Sequence, residues 1–416
     1  VLSGSVAAIR GSLGGELLGR RIAHCLTSSV SIYKAPDISR ALIRHGADLI
    51  PVMTPDAARL LSPQLMEWAT GNAPIVDVSG RVEHVELTEG AGKVDLVLVA
   101  PASANTIAKI SQGVSDNSVT LLCSAALGIG IPIVIAPAMH ASMVNNPALK
   151  EALKRLVEMG VSIVSPMMEE SKAKLAPEHQ IVEEVIYRLT PKPLKGRRFV
   201  VSAGPTREFI DRVRYISNPS TGLMGIEVAR SLRHLGGEVI LLLGPTHLNP
   251  PVGVETMRIV STTEMEQAAL EAAHGSEAFF SAAAIADYRP VTTAAQKIET
   301  ALHPRLVIEL EATPKILESV KRAEPELEII PFKAVYGHND EPEKIMRSLS
   351  YLDPLMVVIN DVSRSDIGFA SAFNEVTVVA RSGRIYRLPK SSKSVIAHRL
   401  VEIYVQEKGG HLQREL

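Results

Sequence analysis

The sequence predicts an α/β chain of two doubly wound parallel-sheet domains, residues 1–190 and 191–416, on three observations. The 416 residues exceed what one hydrophobic core usually supports. Short apolar runs, polar loops and amphipathic segments alternate along nearly the whole chain, the pattern of parallel strands joined by crossover helices. The stretch "TPKPLKGRR" (190–198) breaks that alternation with two prolines, a glycine and a cluster of bases, which marks a linker.

The opening "VLSGSVAAIRGSLGGELLGRR" lacks a continuous apolar core and is expected to be an N-terminal extension with a trimmed start. A strand over 22–26 follows, then the loop "TSSVSIYKA", a helix over 36–45 and a strand over 48–53; Pro36 suits a first helical turn and Gly46 a stop. "VDLVLVA" (94–100), "IPIVIA" (131–136) and "VSIVS" (161–165) are β-branched and apolar on both faces, as buried parallel strands are. Helices over 106–112 and 147–159 separate them. Beyond the linker come the strand "RFVVSAG", a helix over 221–235, a strand over 238–243 and a helix over 263–274. The series continues with a strand over 278–282, a helix over 314–322, a strand over 329–333, a helix over 341–350 and a strand over 355–360. The tail reads as a hairpin around Ser382 and Gly383, then a closing helix.

A net charge of −1 offers no global field for nucleic acid or an anionic membrane, so an anionic ligand must be held by local groups. No apolar run reaches the ~18 residues of a membrane span. Cys25 and Cys123 sit in apolar runs, which points to reduced thiols and a cytoplasmic setting, and neither reads as a nucleophile.

In open parallel sheets ligands bind beyond the carboxyl ends of strands, where loops meet helix N-termini. The residues there are Thr27, Ser28, Ser29 and Thr54, then "PASANT" (101–106) with Ser103 and Asn105, and "APAMH" (136–140) with His140. No GxGxxG occurs, which argues against a standard dinucleotide loop and an NAD-type dehydrogenase. Hydroxyls beside helix starts suit a single phosphate; the competing reading of each is a helix cap. His84, in the loop-like polar run "GRVEHVELTEGAGKVD", is an acid–base candidate or a packing residue.

"SSVSIYKAPDISRALIRHGADLIPVMT", "HVELTEGAGKVDLVLVAPASANTIAKI" and "PAMHASM" resemble the flavin-dependent cysteine decarboxylase family, in particular its phosphopantothenoylcysteine decarboxylases. The resemblance implies a flavodoxin-like first domain (1–190), trimeric, with FMN between subunits. It implies that Ser28, Ser29, Thr54, Ser103 and Asn105 contact FMN, with His140 at the same site, and that His84 is the catalytic histidine near the substrate carboxylate. Oxidising the cysteine thiol to a thioaldehyde makes the neighbouring carboxylate a good CO2 donor, and the electrons then return to the enethiol. Two departures stand out: His140 replaces the family's usual Asn, and the flap "EESKAKLAPEHQ" has no cysteine, with Lys174 near its place. Lys174 or His140 is then the candidate proton donor for the last step.

"AGPTREFIDRVRYISNPSTGLMG" (203–225) closely resembles the phosphopantothenate-cysteine ligase signature. "SAAAIADYRP", Lys297, "PFKAVYG", "INDVSRSDIGFASAFNEVTVV" and "KSSKSVIA" extend the resemblance over nearly all of residues 191–416, implying a Rossmann-like ligase domain. It implies that CTP with Mg2+ activates the carboxylate of 4'-phosphopantothenate as an acyl-cytidylate, which the amine of L-cysteine then attacks. Gly204, Ser220, Thr221 and Gly222 suit phosphates at a helix start, and Lys297, Lys333, Lys390 and Lys393 offset their charge. By resemblance Asn218 handles the acyl-cytidylate, Asp287 contacts the base or ribose, Lys297 stabilises the activated carboxylate, and Asn360 with Phe369 borders the nucleotide. Asn218 and Asp287 also read as turn or cap residues, Lys297 as a surface charge, and Arg207 and Arg214 as surface bases or phosphate holders.

The expectation is a bifunctional enzyme of coenzyme A biosynthesis: ligation, then decarboxylation to 4'-phosphopantetheine. Expected partners are these small molecules and further copies of the chain, as trimers of the first domain and dimers of the second, up to a dodecamer. An active ligase with a flavin-binding scaffold half is the alternative. A non-enzymatic flavoprotein would be expected to have lost Asn218, Asp287 and Lys297, all of which are present.

Overall fold

The computed structural model describes residues 4–169, 172–301, 305–337, 341–364, 366–368 and 371–409. The chain divides into two compact units, Val1–Thr190 and Pro191–Leu416.

The first unit is built on β1 (Arg21–Leu26), β2 (Asp48–Met53), β3 (Leu96–Ala102), β4 (Ile133–Pro137) and β5 (Ser162–Ile163), all parallel, in the order β2-β1-β3-β4-β5. Its main helices are α1 (Ala35–Arg44), α2 (Ala104–Gln112), α3 (Ser118–Ile129), α4 (Pro147–Glu158) and α5 (Glu178–Leu189). Successive strand residues point to opposite faces, and both faces are covered. Ile22, Leu49, Leu96 and Leu98 pack with α1 and α5, whereas Ala23, Cys25, Val97 and Val99 pack with α2, α3 and α4. This is the doubly wound flavodoxin-like order, with its reversal between β1 and β3.

Buried His24 ties three of these elements together. Its Nε2 lies 2.7 Å from the Ala100 carbonyl and its Nδ1 2.8 Å from Ser39 Oγ. A carbonyl only accepts, so Nε2 carries the proton and Nδ1 accepts from the hydroxyl. Burial pushes the imidazole pKa down to about 4.

The second unit's sheet runs β8-β7-β6-β9-β10-β11-β12-β13, from β6 (Arg198–Ala203), β7 (Glu238–Leu243), β8 (Glu255–Arg258), β9 (Ala278–Ser281), β10 (Glu328–Val335), β11 (Met356–Asp361), β12 (Phe373–Ala380) and β13 (Ile385–Ser392). The strands from β8 to β11 are parallel, and β12 and β13 add an antiparallel hairpin. α6 (Leu223–His234) and α9 (Lys393–Glu407) share a core on one face with Phe199, Phe280 and Tyr404. α7 (Thr262–Ala273) and α8 (Ile316–Ala323) pack on the other with Val200, Ile240 and Phe279. The order is Rossmann-like, reversing between β6 and β9.

Several elements have no counterpart in the sequence reading. α3 is apolar almost all round and small-residue-rich, so it has no amphipathic period to find. Edge strand β8, "ETMR", lacks a β-branched run. The expected loop after β1 contains a 3₁₀ turn at Val30–Lys34, and α5 follows directly on the flap. His84 lies not in a loop but in the helical turn Glu83–Thr88, entered through Val82 at φ +51°.

His24 yields a prediction for the first unit. Unfolded, its ring takes a proton near 6.5; folded, only near 4. Stability is therefore complete above about 6.5, declines by about 3 kcal/mol in total as pH falls toward 4, and is flat with respect to this group below that. Trp68 is the chain's single tryptophan and lies in this unit, so its fluorescence in urea titrations from pH 7.5 to 4.5 reads the slope. The slope is expected to be shallower in His24→Gln.

Candidate functional site

In the first unit, polar side chains gather beyond the carboxyl ends of β1, β3 and β4. Thr27 Oγ1 donates to the Pro101 carbonyl at 2.8 Å and accepts from the Ser103 amide at 2.8 Å, bridging the two strands where the sheet order reverses. Ser29 Oγ donates to the Ala138 carbonyl at 3.0 Å, tying in the loop after β4. Thr54 caps the helix Pro55–Leu60 and Ser103 caps α2, each accepting from an amide in the first turn. Such a hydroxyl keeps its own proton to donate. Ser28 and Asn105 are exposed at the same edge. With the first amides of α2, this donor set fits a flavin phosphate. His84 lies against Val52, Ile75 and Ser118 at the end of β2, and among the described residues its buried Nδ1 has no hydrogen-bond partner.

The flap forms a small antiparallel sheet of Met139–His140, Lys172–Lys174 and Met167–Glu169. His140 is paired with position 172, so His140 and Lys174, two residues along the strand, project from one face. Lys174 Nζ bonds Glu169 Oε2 at 2.9 Å.

In the second unit the site is a cavity of about 440 Å3, the size of a small-molecule pocket. Glycines allow it. Gly222 has φ +80°, and a Cβ there would come within 3.1 Å of Gly204 Cα. A Cβ on Gly225 would meet Ala203 Cβ at 2.5 Å and the Ser202 carbonyl at 2.7 Å. The first turn of α6 therefore lies against the end of β6, with its amides in the cavity wall.

Of the expected residues, Asn218, Ser220, Gly222, Asp287, Lys333, Asn360 and Lys393 line this cavity. Asn218 Nδ2 donates to the carbonyls of Ala284 (3.2 Å) and Ile285 (3.0 Å), and Ser220 Oγ accepts from the Gly222 amide. Lys393 is buried, with Nζ 2.8 Å from the Gly368 carbonyl, and burial lowers its pKa to about 8.

Other residues stand apart from the wall. Gly204 underlies Gly222, and the Thr221 carbonyl is held by Thr246 Oγ1. Lys390 bonds Asp366 at 2.7 Å; with Arg364 it holds that carboxylate well below the usual range. Lys297 is exposed on a loop fixed by buried Asp211, which accepts from the amides of Val213, Arg214 and Ile298. Phe369 lies outside the described residues. Arg214 is engaged by Asp211 at 3.0 Å, and Arg207 lies over the Tyr215 ring at 4.5 Å.

The sequence reading missed Lys315, Thr313, Tyr351 and Asn374 in the cavity wall and Asp211 behind Lys297. "TPK" before α8 was the available signal for the first two. Among the described residues no cluster of His, Cys, Asp and Glu suits a metal ion, and no helix is long and apolar enough to cross a membrane.

Residues 10–190 match the Flavoprotein family, and residues 194–407 match the DNA/pantothenate metabolism flavoprotein C-terminal domain. The chain is 39% identical over 392 residues to the coenzyme A biosynthesis bifunctional protein CoaBC of Thermococcus kodakarensis, covering 92% of this chain and 94% of that one. It is 33% identical to the protein of that name from Vibrio cholerae (93% and 98% covered) and 30% identical to that from Bacillus subtilis (93% and 97%).

The lowered pKa of Lys393 predicts a pH dependence for anion binding in this cavity. In the free protein its ammonium is intact below about 8 and lost as pH rises past it. Inorganic triphosphate is expected to bind more weakly from pH 8 to 9.5, by up to about tenfold per unit. Calorimetric titration should find that slope flattened in Lys393→Met.

Proposed function

The chain belongs to the family of bifunctional coenzyme A biosynthesis proteins, and on that premise we propose that it joins 4'-phosphopantothenate to L-cysteine with CTP in residues 191–416. In residues 1–190 it then decarboxylates the product to 4'-phosphopantetheine with FMN. The observation that carries this reading is the second unit's cavity, where helix amides, Asn218, Asp287, Lys333 and Lys393 converge.

A carboxylate oxygen is too poor a leaving group for amide formation. Attack of the 4'-phosphopantothenate carboxylate on the α-phosphorus of CTP expels pyrophosphate, and the resulting acyl-cytidylate loses CMP when the cysteine amine attacks. The α6 amides, Ser220 and Lys393 hold the phosphates, and Mg2+ enters with them. Asn218, clamped to the 284–285 backbone, presents its side chain at the reacting centre. Lys297, on the loop fixed by Asp211, is the cation assigned to the activated carboxylate.

In the first unit Ser28, Ser29, Thr54, Ser103 and Asn105 hold FMN, with His140 beside them. The flavin would supply a two-electron acceptor, so that the CH2–SH unit of the cysteine is oxidised to a thioaldehyde before CO2 leaves and the resulting enethiol takes the two electrons back. His84, with Nδ1 unengaged, binds the substrate carboxylate. Lys174, ion-paired with Glu169, returns the final proton in place of a thiol, with His140 on the same face.

Two predictions test the scheme. Given 4'-phosphopantothenate, cysteine, Mg2+ and CTP, the protein is expected to release pyrophosphate and CO2 and to form 4'-phosphopantetheine, identified by mass. Asn218→Ala should lower ligation by about a hundredfold yet still decarboxylate supplied phosphopantothenoylcysteine; His84→Asn should do the reverse. Accumulation of phosphopantothenoylcysteine by the wild type would leave the ligase alone active, and no CTP-dependent product would refute the scheme. Separately, Lys174→Ala is expected to slow phosphopantetheine formation by about tenfold or more while CO2 release persists. Normal product from both Lys174→Ala and His140→Ala would exclude these residues as the donor.

A further inference from the structure

The polar groups of the second unit's cavity fall on opposite sides of the sheet. α6 and α9 belong to the core of one face, and with them come Ser220, Gly222 and Lys393. α8 and Leu352 belong to the core of the other, and with them come Lys315, Glu318 and Tyr351. The first group is a phosphate site by its chemistry, so the nucleoside of a bound triphosphate reaches toward the second.

There the loop after β9 is clasped to the residues before α8. The Thr313 amide donates to the Asp287 carbonyl at 3.0 Å and Thr313 Oγ1 to the Ala286 carbonyl at 2.6 Å. Lys315 Nζ bonds Asp287 Oδ1 at 2.8 Å, a contact that holds the ammonium in its charged form. Among the described residues Asp287 Oδ2 accepts no hydrogen bond. The two side chains are 61% and 72% exposed, and an ion pair that open adds little to folding stability. Its value must be sought in the ligand.

We propose that Lys315 is a positioning residue for nucleotide recognition. It fixes Asp287 and cancels its charge, so that the remaining oxygen accepts an N–H or O–H from the nucleoside without repelling the triphosphate. The proposal rests on the ligase reading of this cavity. A cytosine amino group and a ribose hydroxyl are both suitable donors; only the first is absent from UTP.

The test compares binding of CTP and UTP by calorimetry, and pyrophosphate release, in wild type, Lys315→Met, Lys315→Arg, Asp287→Asn and the Asp287→Asn/Lys315→Met double variant. Lys315→Met is expected to weaken CTP binding about five- to twentyfold at low salt, less at high salt. KM should rise while kcat stays within about twofold, Lys315→Arg should restore most of the affinity, and Lys315→Met should add nothing once Asp287 is Asn. Loss confined to CTP assigns the contact to the base, and equal loss for CTP and UTP to the ribose. Unchanged binding in Lys315→Met, a fall in kcat at constant KM, or additive effects in the double variant would overturn the proposal. A wild type that binds CTP without releasing pyrophosphate refutes ligation but still decides Lys315 by binding; one that binds neither nucleotide refutes both.

Discussion

The second unit depends on a contact that only glycine permits. A helix offers its first amides to an anion only if its N-terminus can reach the strand edge with nothing between, and Gly222 and Gly225 set α6 directly against Gly204, Ala203 and Ser202. Adding one methyl at Gly225 would place carbon 2.5 Å from Ala203 Cβ, an overlap that a packed core relieves only by moving the helix, at a cost of about 1–3 kcal/mol. The Asn218 clamp, the position of Lys393 and the clasp of residues 284–287 all take their places around that contact. The first unit joins its strand ends without glycine: just beyond β1, Thr27 ties that end to the end of β3 through a donated and an accepted hydrogen bond.

Charge is handled locally, as a net charge of −1 requires. Four lysines present themselves in the sequence as equivalent counter-charges, and the structure separates them. Lys393 is buried against a carbonyl, Lys333 is exposed at the end of β10, Lys390 is spent on Asp366, and Lys297 waits on a loop that buried Asp211 holds by its backbone. Burial lowers the Lys393 pKa, and on the proposed ligase reading a phosphate beside it would offset that cost. Its attraction for the ligand therefore acts in a dry site, where it is least screened.

The legible parts of the sequence are those whose physics is local. Apolar runs such as "VDLVLVA" announce buried parallel strands, and the hydroxyls after them announce helix starts. Helix α3 is invisible in the sequence because apolar and small residues on nearly every side leave no period of the kind that reveals amphipathic helices. Helical His84 was read as loop because six residues behind a left-handed Val82 carry too little pattern. In the second site the resemblance named Asp287 but not Lys315, since an ion pair across 28 residues has no sequence signature. Nor could spacing tell Lys393 from Lys390: whether a lysine faces a carbonyl or a carboxylate is settled by the β12–β13 hairpin and the turn before α9.

On the proposed decarboxylase reading, the flap carries Lys174 near the place where the family has a cysteine. Its position is fixed by backbone ladders to Met139–His140 and Met167–Glu169, so exchanging the side chain at position 174 leaves the scaffold in place. What changes is acidity. A free thiol loses its proton near 8.5 and an ammonium near 10.4, and an ion pair with a carboxylate opposes the loss further. With proton transfer about half complete in the transition state, a donor weaker by about two units costs about tenfold in rate. A lysine donor thus makes the last protonation slower unless the enethiolate it serves sits close enough to displace Glu169. Displacement is favoured by charge: the anionic intermediate competes with Glu169 for the same ammonium, and the proton moves along the bond that wins. If Lys174 is the donor, as proposed, its partner Glu169 is the group that the substrate's negative charge has to displace.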